Sequence, residues 1–162
     1  KCFCSKGGES MKKREIAALV VFFAVFIILF LSVEQYRQPK VGDFVMNDNV
    51  SILVYSPVIT DSLSIGSKKY EAGAGWKFVI LDINLVNMAK ENRTFYAGRI
   101  EDEDGMVYFN YQHFYKGYTK LSPGKGRSID VAYKMPTNAV PEKFHYTILN
   151  SDTWHGEILL KR

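Results

Sequence analysis

Two patterns of apolar residues divide the chain. Residues 16–33 form an unbroken apolar run, whereas from Val41 onward apolar and polar positions alternate. Val50, Ile52 and Val54 interleave with Ser51, Leu53 and Tyr55, and Pro57 closes the run because it has no N–H to give to a ladder. Residues 60–75 are rich in Ser, Gly and Lys without a period and read as a loop. Residues 76–87 give the strongest strand: Val79, Leu81, Ile83 and Leu85 make one apolar face, with Asp82 and Asn84 on the other. Runs at 95–102 and 106–114 flank Glu103-Asp104-Gly105, a hairpin signal because Asp and Gly tolerate positive φ. After a turn at Ser122-Pro123-Gly124, Ile129, Val131, Tyr133 and Met135 alternate with Ser128, Asp130, Ala132 and Lys134 until Pro136. Phe144, Tyr146 and Ile148 repeat the alternation, and 157–161 supplies a last short strand. Seven or eight short strands, with no amphipathic helix among them, predict an all-β fold: an antiparallel two-sheet sandwich rather than a barrel.

The apolar run has a different use. Its 18 uncharged positions would span about 27 Å as a helix, close to a hydrocarbon core. Fourteen of them are Leu, Ile, Phe or Val, which favours insertion by about 4–8 kcal/mol in sum. Lys12, Lys13 and Arg14 precede the run and, by the positive-inside rule, keep the amino terminus cytoplasmic and place the carboxyl-terminal part outside. Leu31-Ser32-Val33 is a poor signal-peptidase site, so 11–33 reads as an uncleaved anchor in contact with the lipid bilayer through 16–33. Residues 34–40, ending in Pro39 and Lys40, make a short linker to a domain at 41–162. Met11 with its cationic sequel reads as the natural start. Lys6-Gly7-Gly8-Glu9 back-translates to a purine-rich ribosome-binding sequence, so 1–10 read as a mistranslated prokaryotic leader, the alternative being a short cytoplasmic tail.

Charge and cysteine narrow the function. The formal net charge is +4, but residues 1–40 hold seven of the 21 Lys and Arg and three of the 17 Asp and Glu, so the domain is neutral. That excludes the clustered basic surface with which a nucleic-acid binder displaces counterions. Cys2 and Cys4 are the only cysteines, so no disulfide staples the domain and packing must hold it.

The succession 75–87 (GWKFVILDINLVN), Glu103-Asp104-Gly105 with Tyr108, Leu121-Ser122-Pro123-Gly124 and 129–136 resembles the prokaryotic extracytoplasmic immunoglobulin-like domains catalogued as domain of unknown function 4352. The resemblance covers roughly 41–162. It implies an immunoglobulin-like sandwich behind a membrane or lipid anchor, and it carries over no catalytic residue and no cofactor.

Candidate chemistry is sparse. Glu101, Asp102 and Asp104 offer oxygen ligands for a weak Ca²⁺ site, but alternate strand residues point to opposite faces, so a solvated hairpin tip is expected instead. His113, His145 and His155 have no zinc-ligand spacing, and no Gly-x-Ser-x-Gly elbow is present; a non-catalytic protein is expected. The aromatic stretch 108–118 is the best candidate for contacts. Tyr111, His113, Tyr115 and Tyr118, beside Lys116 and Lys120, suit stacking on a sugar or anchoring a protein. The sequence thus predicts a membrane-anchored extracytoplasmic module whose rim loops, 60–75 and 115–125, meet a protein or glycan partner. The alternative is an accessory subunit that docks through its transmembrane helix onto a larger membrane complex.

Overall fold

A computed structural model of the chain describes residues 16, 20–25, 38–112, 114–150 and 153–161. The chain divides into two compact units, Lys1–Arg37 and Gln38–Arg162. In the first, Ile16 and residues 20–25 are helical, and the side chains of Val20, Phe22 and Phe23 are exposed. The leader 1–10, the cationic flank, the rest of the expected anchor and most of the linker lie outside the described residues. Among those described, no helix is long and apolar enough to cross a membrane.

The second unit carries the strands, all paired antiparallel within three sheets. The first sheet runs β1 (Phe44–Asn47), β2 (Val50–Val54), β6 (Trp76–Asn87), β10 (Gly126–Pro136). β2 leaves the edge of β6 before Pro57, and β3 (Val58–Thr60) takes up the same edge further along, pairing Val58 with Ile80. The second sheet runs β12 (Thr153–Leu159), β11 (Pro141–Leu149), β7 (Arg93–Asp102), β8 (Val107–Phe109), with β9 (Tyr118–Leu121) pairing the start of β7. Both sheets are built alike, a long strand whose one edge is shared by two short ones.

Alternation puts one face of each sheet into a common core. Val79, Leu81, Ile83 and Leu85 of β6 are buried, and the β10 residues across from the first three, Tyr133, Val131 and Ile129, are buried with them. Phe95, Ile100, Phe144, Tyr146 and Ile148 come from the other sheet. Phe95 stacks on Tyr146 with ring centroids 5.7 Å apart, and Tyr133 meets Phe144 edge-on at 6.4 Å. Tyr146 also covers Gly156, its cross-strand partner on the edge strand β12, where a Cβ would lie 2.2 Å from the ring.

The strand expected at 95–102 has a break in phase that alternation alone does not show. Phe95 and Ala97 face the core at odd positions, Ile100 and Asp102 at even ones. Gly98 is the extra residue that reconciles them: the register with β11 slips between His145 and Tyr146, so a bulge turns the strand by one position. A Cβ at Gly98 would meet the His145 carbonyl oxygen at 2.7 Å, a backbone atom that cannot swing away. Gly98→Ala is therefore expected to cost about 1–3 kcal/mol, read from urea unfolding. A neutral result would mean that the bulge relaxes freely.

Three stretches differ from the sequence reading. Residues 60–75 are not a plain loop: β4 (Ser62–Ile65) and β5 (Lys68–Glu71) form a hairpin. Leu63 and Tyr70 face each other across it and, with Ala72, pack on Phe78 and Ala132, which belong to the solvent side of the first sheet. Three apolar positions in eight, Leu63, Ile65 and Tyr70, are too few to announce a period, and the partners of Leu63 and Tyr70 are supplied by strands far away in sequence. The strand expected at 106–114 stops at Phe109, because at Asn110 the chain leaves the second sheet and bridges to Tyr133 of the first. The rim loop 115–125 contains β9.

Candidate functional site

The crossing after β8 builds the rim. The Tyr111 N–H donates to the Ala132 carbonyl of β10 at 2.6 Å, and the Phe114 N–H donates back to the Tyr111 carbonyl, closing a turn. The Asn110 amide donates to the Tyr115 carbonyl at 3.1 Å, and the Gly117 carbonyl accepts from the Ala97 N–H at 3.2 Å. Gly117 takes φ +87°, a value other residues resist, and this returns the chain to β7 as β9. Backbone hydrogen bonds thus fix the segment before any ligand arrives.

Of the six residues predicted as partner contacts, four come together. Tyr115, Lys116, Tyr118 and Lys120 line one cleft of about 520 Å³ with Phe114, Thr119 and Arg127. It opens where β9, an edge strand of one sheet, faces the start of β10, an edge strand of the other. Tyr118 is 46% exposed and lies tilted on Tyr96, ring centroids 5.8 Å apart. Tyr115 is half-buried and packs on the main core. Burial pushes its hydroxyl pKa up, against the nearby Thr119 hydroxyl and the Arg127 guanidinium, which favour the ionised form. The Tyr115 and Tyr133 hydroxyls are both buried, and neither has hydrogen-bond geometry to a partner among the described residues. Lys116, Lys120 and Arg127 make no ion pair among the described residues, and no carboxylate lines the cleft. Phe114 lies within the aromatic stretch that the sequence singles out, whereas Arg127 escaped the sequence reading. Arg127 follows the Ser122-Pro123-Gly124 turn as an ordinary strand charge, and only the meeting of two sheet edges brings it to the rim.

The other two predicted contacts fall elsewhere. Tyr111 belongs to the small core under the β4–β5 hairpin, its ring 5.3 Å from Phe78 and 6.3 Å from Tyr70, so it is a packing residue. His113 lies outside the described residues.

The acidic hairpin does not assemble a Ca²⁺ site. Asp102 is buried and turned into its own hairpin, accepting from the Asp104 N–H at 3.0 Å, the Met106 N–H at 2.8 Å and the Tyr108 hydroxyl at 2.8 Å. Burial is the largest influence on its carboxyl and raises its pKa, yet these three donors together outweigh it, and the pKa lies below the ordinary value. Glu101 points to the opposite face, where it accepts from Lys143 and pairs with His145, each at 3.1 Å. Asp104 is exposed at the tip. Among the described residues, no group of three or more His, Cys, Asp or Glu is placed to hold a metal ion. His155 meets the Thr147 hydroxyl at 3.0 Å.

Hydrogen bonds from Lys143 and His145 hold the Glu101 pKa below its usual 4.5. A carboxyl depressed in this way stabilises the fold fully above its unfolded pKa, and the contribution is lost as pH falls through the folded value. Glu101→Gln is accordingly expected to lower stability near pH 7 and to approach the parent chain as acid protonates the Glu101 carboxylate, compared by thermal unfolding. A difference that does not change with pH would show that ionisation of Glu101 is irrelevant to it.

A second groove, of about 580 Å³, lies on the solvent side of the first sheet beside the hairpin, over Val58, Leu63 and Ile80. Asp82 and Asp130, direct cross-strand partners, sit at its end, and the Ser128 hydroxyl donates to Asp82 at 3.0 Å.

No protein-family model matches the chain, and no curated protein matches it. Solved structures do. A conserved hypothetical protein from Bacillus anthracis aligns with 75% of this chain and 95% of its own, at 12% identity and a TM-score of 0.50. The yjhA protein from Bacillus subtilis aligns with 76% of this chain and 100% of its own, at 13% identity and a TM-score of 0.50. An uncharacterized β-sandwich protein from Clostridium difficile 630 covers 77% of this chain at 12% identity and a TM-score of 0.47. At such identities likeness is one of fold alone, and that to the two Bacillus proteins, together with the two packed sheets, makes the described domain an all-β sandwich.

Proposed function

We propose that the chain is a membrane-tethered, non-catalytic binding module of the extracytoplasmic immunoglobulin-like kind, and that its partner site is the rim cleft at Tyr115, Lys116, Tyr118, Lys120 and Arg127. The observation that carries this reading is that Tyr115, Lys116, Tyr118 and Lys120 of one stretch meet Arg127 from the other sheet on one concave site. Clefts of about 300–1,000 Å³ between rigid elements are where proteins take ligands. Exposed Tyr beside cations supplies large contact area at low entropic cost. Tethering and outward orientation rest on the 18 uncharged positions of 16–33 and the cations before them.

Three measurements test it. An alkaline carbonate wash should leave the chain in the membrane pellet, and protease added outside whole cells should remove the domain. A photo-crosslinker at position 118 should capture a partner that one at position 71, on the distal hairpin, does not. Release by carbonate would end the tether, and capture only from a crosslinker at position 22 would favour docking through the helix instead.

A further inference from the structure

Lys116, Lys120 and Arg127 converge on the cleft without a carboxylate in its lining, although the domain as a whole carries as many acids as bases. Cations near one another repel, and nothing among the described residues of this chain neutralises these three. Arg127 and Tyr115 line the same cleft, one from each sheet edge. The aromatic half is equally specific. Tyr118 and Tyr96 form an exposed tilted pair on the outer face of β9 and β7, next to Lys120, and such a flat apolar surface suits the face of a sugar ring. A nucleic acid would need a basic track beyond the cleft, which a neutral domain lacks.

Resting on the reading of this cleft as the partner site, we propose that its ligand is an acidic polysaccharide, a sugar chain bearing carboxylate or sulfate groups. Lys116, Lys120 and Arg127 hold the acid groups, and Tyr118, braced by Tyr96, carries a ring between them. The rim needs no rearrangement to bind, because Asn110 and Gly117 already fix it.

The test uses the full chain in nanodiscs of neutral phosphatidylcholine, titrated with polygalacturonate, dextran sulfate and neutral dextran. Both acidic polymers should bind and neutral dextran should not. Arg127→Gln and Lys120→Gln should each weaken binding about ten-fold, the loss of one charge-assisted contact, and flatten its salt dependence. Tyr118→Ala should weaken both polymers while leaving the melting temperature unchanged, since the ring is exposed. Equal binding of neutral dextran, or binding only to phosphatidylglycerol vesicles, would overturn the ligand class. If the triple variant Lys116→Gln, Lys120→Gln, Arg127→Gln lost the partner captured from position 118 while the parent chain bound no polymer, the class would fail and the site would stand. Polymer binding unchanged in that folded triple variant would overturn the site itself.

Discussion

Arg93→Met is expected to lower the stability of the sandwich by about 3–5 kcal/mol, because it strands a buried charge. Arg93 is 7% exposed, and its Nε lies 2.7 Å from Asp48 Oδ2 in an ion pair not aligned as a hydrogen bond. Nη1 reaches Glu91 at 3.2 Å, but that carboxylate is largely in water and contributes little. Asp48 is itself nearly buried and accepts a hydrogen bond from the Asn150 amide. With the guanidinium gone, the Asp48 carboxylate would keep its burial and lose its counter-charge. The position explains why the arrangement matters: Asp48 and Asn49, both at positive φ, form the two-residue turn of β1 and β2, whereas Arg93 opens β7 in the other sheet. The pair therefore ties the two sheets at one end. A double-mutant cycle in urea is the appropriate measurement, and Arg93→Met with Asp48→Asn should cost less than the two single changes added. Additive losses would show that the two side chains do not interact.

How much of this was legible depended on where each residue's partners lie. β6, β10 and β11 could be read directly because each carries a run of buried alternation long enough to identify itself: Val79 to Leu85, Ile129 to Met135 and Phe144 to Ile148 are all at the core. The short strands could not. β1 and β3 hold four and three residues, and Phe44, Met46, Val58 and Ile59 are exposed, so neither pattern nor burial marks them; the long edge they pair with does. Gly98 sat unnoticed inside a well-predicted strand, since a bulge shows only as a slip between two otherwise regular halves. At the rim, local chemistry picked out Tyr115, Lys116, Tyr118 and Lys120 correctly as neighbours, because they are neighbours in sequence. It misplaced Tyr111, whose ring is claimed by Phe78 and Tyr70 across the sheet. Asp102 shows the same limit: one of several adjacent acids in sequence, it is set apart by the backbone donors that its own hairpin turns toward it.

Asn87 joins the fold to the proposed site, and Asn87→Ala should be nearly as costly as the loss of Arg93. Asn87 is fully buried at the end of β6. Its amide donates to the Glu91 carbonyl at 2.8 Å and the Leu121 carbonyl at 2.9 Å, and its Oδ1 accepts from the Ala89 N–H at 3.0 Å. Its main chain donates to the Lys125 carbonyl at 3.0 Å and accepts from the Gly124 N–H at 2.8 Å. Truncation leaves two carbonyls and one N–H without that partner, each worth about 1–3 kcal/mol if water cannot replace it, so a loss on the order of 3–4 kcal/mol is expected. The effect should reach the cleft. Leu121 closes β9, directly after Lys120, and the turn through Gly124 and Lys125 leads to Arg127, so Asn87 holds one bank by its side chain and the other by its main chain. Amide exchange at Ala89, whose N–H loses the Asn87 Oδ1, should quicken, and polygalacturonate should bind more weakly although Asn87 does not line the cleft. Asn87→Asp separates packing from hydrogen bonding: it keeps the shape but sets a carboxylate against two carbonyl oxygens, so the defect should be severe near neutral pH and ease on acidification, when the group can again donate. An Asn87→Asp chain as stable as the parent at neutral pH would mean that these two carbonyls find other donors, and that Asn87 does not hold the rim.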